Sequence, residues 1–347
     1  MRAAWVFLFL AVSTHGQGDR GTITGTIFDP AQEVIAGAAI EAKNVQTGAV
    51  YPATATAAGD YTISQLPYGQ YELAVTAQGF KKYVRQGLEV EVAQTLRVDV
   101  VLELGSVTEV VSVTDRSSLL ETEGADVSHH ITVEQLNTLP MLGIGAAASG
   151  SNGIRNPNNV VEVIPGTYYV PNATVKINGA PSNTQGHYVE GQDSRSQGFP
   201  GQEANISGSV DAIQEVAIQT SNFAPEFGAS GGGFINVTMR SGTNQYHGSV
   251  YDYLVNEALN AGTPFTDAGA SDSRRAGQLI RPRARRNDYG WTIGGPASIP
   301  KLYHARNKTF FFFNFEQFRE TQIINNIPIT VPIDAYRAGN FSQAITA

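Results

Sequence analysis

Alternation of apolar and polar residues at period two runs through most of the chain, and its changes of character divide it. "TITGTIF" (residues 22–28) alternates, stops at Asp29-Pro30, and the pattern resumes in "AAIEAKNV" before a turn at Thr47-Gly48. Tyr61 and Ile63 fall on one side of a strand and Thr62 and Ser64 on the other; after a turn at Pro67–Gly69, Tyr71, Leu73 and Val75 continue the apolar row. "LEVEVAQTLRVDVVLEL" (88–104) closes with near-strict alternation. About seven strands in about eighty residues, with a turn every eight to twelve, predict a β-sandwich.

Beyond Gly105 the pattern loosens. "SVTEVVSVTD" is an isolated β-prone segment, readable as a last strand, a linker, or an edge strand offered to a partner's sheet. Residues 117–245 mix elements. "VEQLNTLP" predicts a short helix, with Thr132 as N-cap and Gln135 at the capping-box distance. "TVKINGAPSNTQGHYVEGQD" predicts a hairpin turning at Asn178-Gly179. "AIQEVAIQT" and "GFINVTMRSG" predict two strands joined through a loop with Gly228 and the triplet Gly231-Gly232-Gly233. Those glycines imply positive φ or close backbone approach, and no strand–turn–helix unit surrounds them to make a phosphate loop.

From Tyr246 three segments of about ten residues alternate, the length a tilted strand needs to cross hydrocarbon. In "NDYGWTIGG", Tyr289, Trp291 and Ile293 oppose Asp288, Gly290, Thr292 and Gly294. In "RNKTFFFFNFEQFRE", Phe311, Phe313 and Phe315 oppose Phe310, Phe312, Asn314, Glu316 and Phe318. "HGSVYDYLVN" is less clean, with Tyr251, Tyr253 and Val255 opposite Gly248, Val250, Asp252 and Leu254. Aromatic residues outward and polar or small ones inward is the pattern of transmembrane β-barrel strands, so Tyr289, Trp291, Ile293, Phe311, Phe313 and Phe315 are expected to face lipid. A long polar connection (257–286) and a shorter one (296–307) match the long outer and short inner loops of such barrels.

Composition narrows the chemistry. A net charge of −8 gives no general attraction to nucleic acid, and the absence of cysteine removes disulfides and thiolate sites. Arg2 followed by the apolar run Ala3–Val12, with Thr14 and Gly16 at cleavage-site spacing, has the layout of a secretory signal peptide over 1–16. Arg274, Arg275, Arg281, Arg283, Arg285 and Arg286 crowd the long connection, either as a solvated loop or against anionic lipopolysaccharide headgroups. His187 and Glu190 have a zinc-peptidase spacing, with His247 downstream, but their polar, glycine-rich surroundings favour a loop. No catalytic residue, metal or other cofactor is assigned, and the chain is not expected to be an enzyme.

Gly59-x-Tyr61-x-Ile63-x-x-Leu66-x-x-Gly69-x-Tyr71-x-Leu73 resembles the carboxypeptidase regulatory-like domain, a transthyretin-type sandwich and an accessory module without catalytic residues. Thr108-Glu109-Val110-Val111-Ser112-Val113 resembles the TonB box of TonB-dependent outer-membrane receptors. Val210–Val216, Phe227-Gly228 and Gly232–Val237 resemble the plug of that family, as do Ile177-Asn178-Gly179, Val189–Asp193, Leu139-Pro140 and Pro165-Gly166. Glu190 stands where the plug pattern has Asp, and "MLGIGAAASGSNGIRNPNN" departs from it. The stretch 289–319 resembles the early barrel of Oar-like receptors, a branch that also carries the sandwich.

The expected architecture is mainly β. A signal peptide (1–16) precedes a transthyretin-like β-sandwich (17–104) in the periplasm and a linker with the TonB-box candidate (105–116). A mixed α+β plug domain (117–245) and the first strands of a transmembrane β-barrel (246–347) follow. The resemblance implies the N-terminal part of an outer-membrane receptor or transporter, since such barrels close with about 22 strands. It further implies outer-membrane lipid around the barrel, a TonB-type energy-coupling protein of the inner membrane as partner, an unknown substrate and no nucleic acid. The competing class is an exported adhesin or carbohydrate-binding sandwich protein, in which the aromatic strands would be an ordinary core.

Overall fold

The computed structural model describes residues 20–106, 108–114, 123–124, 127–138, 154–155, 157–170, 174–181, 184–195, 209–223, 227–228, 230–270, 272–281, 283–322 and 334–342. The segment expected to be a signal peptide (1–16), Leu139-Pro140 and most of the divergent stretch after it lie outside these residues. Two compact units form, Met1–Asp252 with Asp288–Phe318, and Tyr253–Asn287 with Arg319–Ala347.

The sandwich is built as its alternation requires. One sheet pairs β1 (Gly21–Phe28) with β4 (Asp60–Leu66) on one side and with the short β7 (Thr95–Arg97) and β8 (Val100–Val101) on the other. The second runs β3 (Val50–Thr54), β2 (Ala39–Asn44), β5 (Gly69–Thr76), β6 (Lys82–Val90) and β9 (Val110–Thr114). The rows Tyr61, Ile63 and Tyr71, Leu73, Val75 point into a common core with Ile23, Ile27, Ile40 and Leu102. Both tyrosines are buried to the hydroxyl, and each hydroxyl has an acceptor: Tyr61 donates to the Val98 carbonyl (2.7 Å) and Tyr71 to that of Pro67 (2.8 Å). A large apolar ring is thereby buried without orphaning its polar tip.

β9 is the first departure from the expected boundaries. The segment after Gly105 does not leave the sandwich as a linker but pairs in parallel with β6, from Lys82↔Val110 to Gln86↔Thr114.

The central residues form a second sheet in the order β10 (Val127–Thr132), β15 (Ile213–Ser221), β16 (Phe234–Met239), β13 (Gly186–Val189), β14 (Gln192–Asp193). Helix α1 (Val133–Thr138) closes with the capping box the sequence implies. The Thr132 amide donates to Gln135 Oε1 (3.0 Å) and the Gln135 amide to Thr132 Oγ1 (3.4 Å). Leu136 then packs among Val160, Val161, Val216 and Ile218. The glycine triplet has the steric role expected of it. Gly233 has φ 154°, and a Cβ there would lie 2.4 Å from the Gln219 carbonyl oxygen.

The expected hairpin at Asn178-Gly179 does not form. Both residues adopt positive φ, 49° and 73°, in a left-handed turn. Yet β12 (Thr174–Ile177) pairs backward with β11 (Thr167–Val170), while β13 crosses to run parallel to β16. Buried on nearly every residue, β13 is claimed by the central sheet rather than by its sequence neighbour.

Between sandwich and central sheet, Glu215 of β15 is fully buried. It accepts the Val92 amide (3.4 Å) and bonds His130 of β10, whose imidazole also approaches Glu91 (3.8 Å). A buried carboxylate needs such partners, because an unpaired one would favour its protonated form.

The sandwich tolerates no side chain at Gly25, where a Cβ would sit 2.0 Å from the Val98 carbonyl oxygen. Gly25→Ala is expected to destabilise the domain by about 2–3 kcal/mol through overpacking. A chemical-denaturation midpoint for the variant, compared with that of the unmodified chain, checks this.

Candidate functional site

Two surfaces carry the residues singled out from the sequence. The first is a three-stranded sheet in the order β17 (His247–Asn256), β18 (Ala284–Pro296), β19 (Phe310–Gln322). Its outer face bears Trp291, Ile293, Phe311, Phe313 and Phe315, all exposed, Phe313 by 52%. Trp291 stacks on Phe313 (5.1 Å between centroids) and Phe315 (6.4 Å), making one aromatic band across two strands. Tyr289 is half-buried beside them, its hydroxyl bonded to Gln317. Single exposed apolar residues are ordinary on a protein surface, but a contiguous aromatic band marks contact with an apolar medium or partner.

β17 reverses the simplest reading of its pattern. Val250, 88% exposed, lies on the outer face, while Tyr251 turns inward. The reason is a polar network on the inner face. Glu316 of β19 accepts from the hydroxyls of Tyr251 (2.7 Å) and Ser209 (2.6 Å), the latter from the central region. Asp288 of β18 accepts the Ile154 amide (2.7 Å). Arg155 lies over the Tyr251 ring, 5.0 Å from its centroid, and bonds Asn137 (3.0 Å) and Asp211. Gly290 makes room for this, since a Cβ there would sit 2.5 Å from the Tyr251 hydroxyl. Asn314 and Glu316 read from sequence as inward-facing, and they are. The sequence did not point to Ser209 and Tyr251 as the donors to Glu316, or to Arg155 over the Tyr251 ring. The available signal was a lone Ile-Arg inside a glycine- and asparagine-rich stretch, too common a pair to point anywhere.

The second surface is the segment Thr108, Glu109, Val110, Val111, Ser112, Val113. Thr108 and Glu109 form a turn, with the Glu109 amide donating to the Ser106 carbonyl (2.9 Å). Val110 to Val113 belong to β9, with Val110 and Ser112 exposed and Val113 packed against the sandwich core. Lys81 holds Glu109 (3.3 Å) and Glu103 (3.4 Å). Hydrogen bonding to Glu109 and then Glu103 raises its ammonium above the usual lysine range.

The remaining candidates fall elsewhere. His187 is buried in β13, 3.2 Å from Gln185 Nε2, while Glu190 sits in an exposed turn and accepts the Met239 amide (2.5 Å). Among the described residues no group of three His, Cys, Asp or Glu is arranged to hold a metal ion. In the long connection, Arg285 pairs with Glu257 (2.8 Å), Arg274 with Asp272 (3.1 Å), and Arg286 is buried against Glu320 (2.7 Å) rather than displayed on a loop.

Comparison with known proteins agrees with this architecture. Residues 22–103 match the carboxypeptidase regulatory-like domain, and residues 238–347 match the outer membrane β-barrel domain. The chain is thus an outer-membrane protein in which a β-sandwich precedes barrel strands. It is similar to the TonB-dependent transporter Oar of Myxococcus xanthus, with 28% identity over 318 residues covering 89% of this chain. The chain spans 28% of the length of that relative. Solved structures overlap only in part. They include hydroxyquinol 1,2-dioxygenase from Pseudomonas putida DLL-E4, at 9% identity and TM-score 0.22 over 25% of this chain and 57% of that one. The minor pilin GBS52 of Streptococcus agalactiae has 16% identity and TM-score 0.22 over 28% and 49%. Likenesses at these scores carry no argument about chemistry.

Two outcomes follow from these placements. Phe313→Arg is expected to destabilise membrane insertion by about 2–4 kcal/mol if the residue lies near the bilayer midplane, whereas Phe313→Leu stays near wild type. Folding yields into lipid vesicles measure the difference. Burial, aided by Arg195, lowers the His187 imidazole to about 4. The neutral ring's contribution is then complete above the unfolded value near 6.5 and is lost as pH falls towards 4, a span of about 3 kcal/mol. His187→Leu should flatten that acid limb in denaturation midpoints measured at pH 7.5 and 4.5.

Proposed function

We propose that this chain is the N-terminal part of a TonB-dependent outer-membrane receptor or transporter. In this reading residues 1–16 direct export and the sandwich lies in the periplasm. Residues 117–245 are the plug, and residues 246–347 begin the barrel wall. The chain carries out no enzyme chemistry and uses no cofactor. Its work is the gated passage of a substrate that the sequence does not name, driven by an inner-membrane protein of the TonB type. Tyr289, Trp291, Ile293, Phe311, Phe313 and Phe315 meet membrane lipid, and the exposed arginines of the long connection suit lipopolysaccharide phosphates.

The observation that supports this most is the two-sided wall. One face of β18 and β19 is aromatic and exposed, while the other bonds Ser209 and Ile154 of the central region through Glu316 and Asp288. A soluble sandwich protein has no use for an outward phenylalanine row, whereas a wall strand needs lipid on one side and a polar occupant on the other. The similarity to a TonB-dependent transporter extends over 89% of this chain.

Coupling is assigned to Thr108–Val113, by addition of this segment as a strand to the partner. The test is Val110→Pro, which removes one outward backbone donor and is tolerated at a sheet edge. Site-specific cross-linking of the chain to the TonB-type protein in energised cells should be lost while the outer-membrane level of the chain stays normal. Undiminished cross-linking would remove the coupling role from this segment.

A further inference from the structure

The proposed coupling segment is already a strand of the sandwich, and its two edges are not equivalent. The Lys82 amide donates to the Glu109 carbonyl (2.9 Å), and Lys82 pairs with Val110. In a parallel ladder of this register, Val111 and Val113 direct their N–H and C=O groups at β6. Those of Val110, Ser112 and Thr114 point away from it. Among the described residues no strand pairs with that outer side, which ends the five-stranded sheet. Val110 and Ser112 are also the exposed side chains, whereas Val113 packs on the core and Glu109 is tied to Lys81.

We infer that β9 takes its partner without leaving the sandwich: an extended segment of the periplasmic energy-coupling protein pairs with the outer edge at Val110, Ser112 and Thr114 and becomes a sixth strand of the sheet. The inference rests on the coupling role proposed above and adds which edge is used and what stays in place. Addition at the open edge breaks no existing bond. Release of β9 would break the ladder to β6, uncover Val113 and leave β6 itself as an unpaired edge. The occupant is specified by backbone chemistry, a strand with free alternating donors and acceptors and an apolar side chain to set against Val110. The partner's pull would then enter through the sandwich as well as through the chain that follows β9.

The absence of native cysteine permits a direct test. Lys82→Cys with Val110→Cys places two thiols on facing residues of adjacent strands, about 4.8 Å apart and within reach of a disulfide. The purified periplasmic domain of the TonB-type protein is titrated against the full chain, and against the double variant oxidised and reduced, with the bridge verified by mass. Docking in place predicts dissociation constants within twofold between the oxidised and the reduced double variant. A tenfold or greater loss on oxidation, recovered on reduction, would overturn the inference while leaving the segment as the coupling site. No binding by the unmodified chain would overturn both. Ser112→Pro supplies a second measurement, because it removes an outward donor and spares the ladder to β6. It should weaken binding at least tenfold with an unchanged sandwich melting temperature, and unimpaired binding would again overturn the inference.

Discussion

Glu316 is a carboxylate on a strand whose opposite face is a row of phenylalanines, and much of the molecule is arranged around making that tolerable. A charged group beside hydrocarbon needs charge-assisted hydrogen bonds, each worth about 1.5–3 kcal/mol when made and more when one partner is lost. The hydroxyls of Ser209 and Tyr251 supply two of them. Ser209 comes from the central region, so the bond that satisfies the wall also fastens the domain beside it. Tyr251 can reach only because Gly290 leaves the space, and Arg155 lies over its ring. Asp288 repeats the arrangement one strand over, with the Ile154 amide as donor.

The same economy operates between sandwich and central sheet. Glu215 has no exposure, and it is balanced by the Val92 amide from one side and His130 from the other. Buried acids thus sit at both junctions of the central region, and at each the neighbouring segment provides the donor. A polar contact of this kind is orientation-dependent in a way that apolar packing is not, so it specifies register as well as proximity. Any movement of the central region would have to exchange these bonds for others rather than simply slide past them.

β9 shows how one local pattern can serve two ends. Its alternation places Val111 and Val113 inward and Val110 and Ser112 outward, which suits both a last sandwich strand and a strand offered to a partner. The two uses are compatible because a strand has two edges, and pairing with β6 consumes only one.

Local periodicity was sufficient for the inward rows Tyr61, Ile63 and Tyr71, Leu73, Val75, for the capping box at Thr132 and Gln135, and for the aromatic face of β18 and β19. Each depends on residues two to four apart, where side-chain direction follows from backbone geometry alone. Pairing between distant segments was not legible in this way. β12 returned to β11 although Asn178-Gly179 invited a forward hairpin, β9 joined β6, and Arg286 found Glu320 instead of solvent. Tyr251 turned inward to donate, together with Ser209, to a carboxylate 65 residues later. Strands and charges have many partners that satisfy local rules equally well, and the choice among them falls to whichever arrangement fills space and leaves no buried polar group alone.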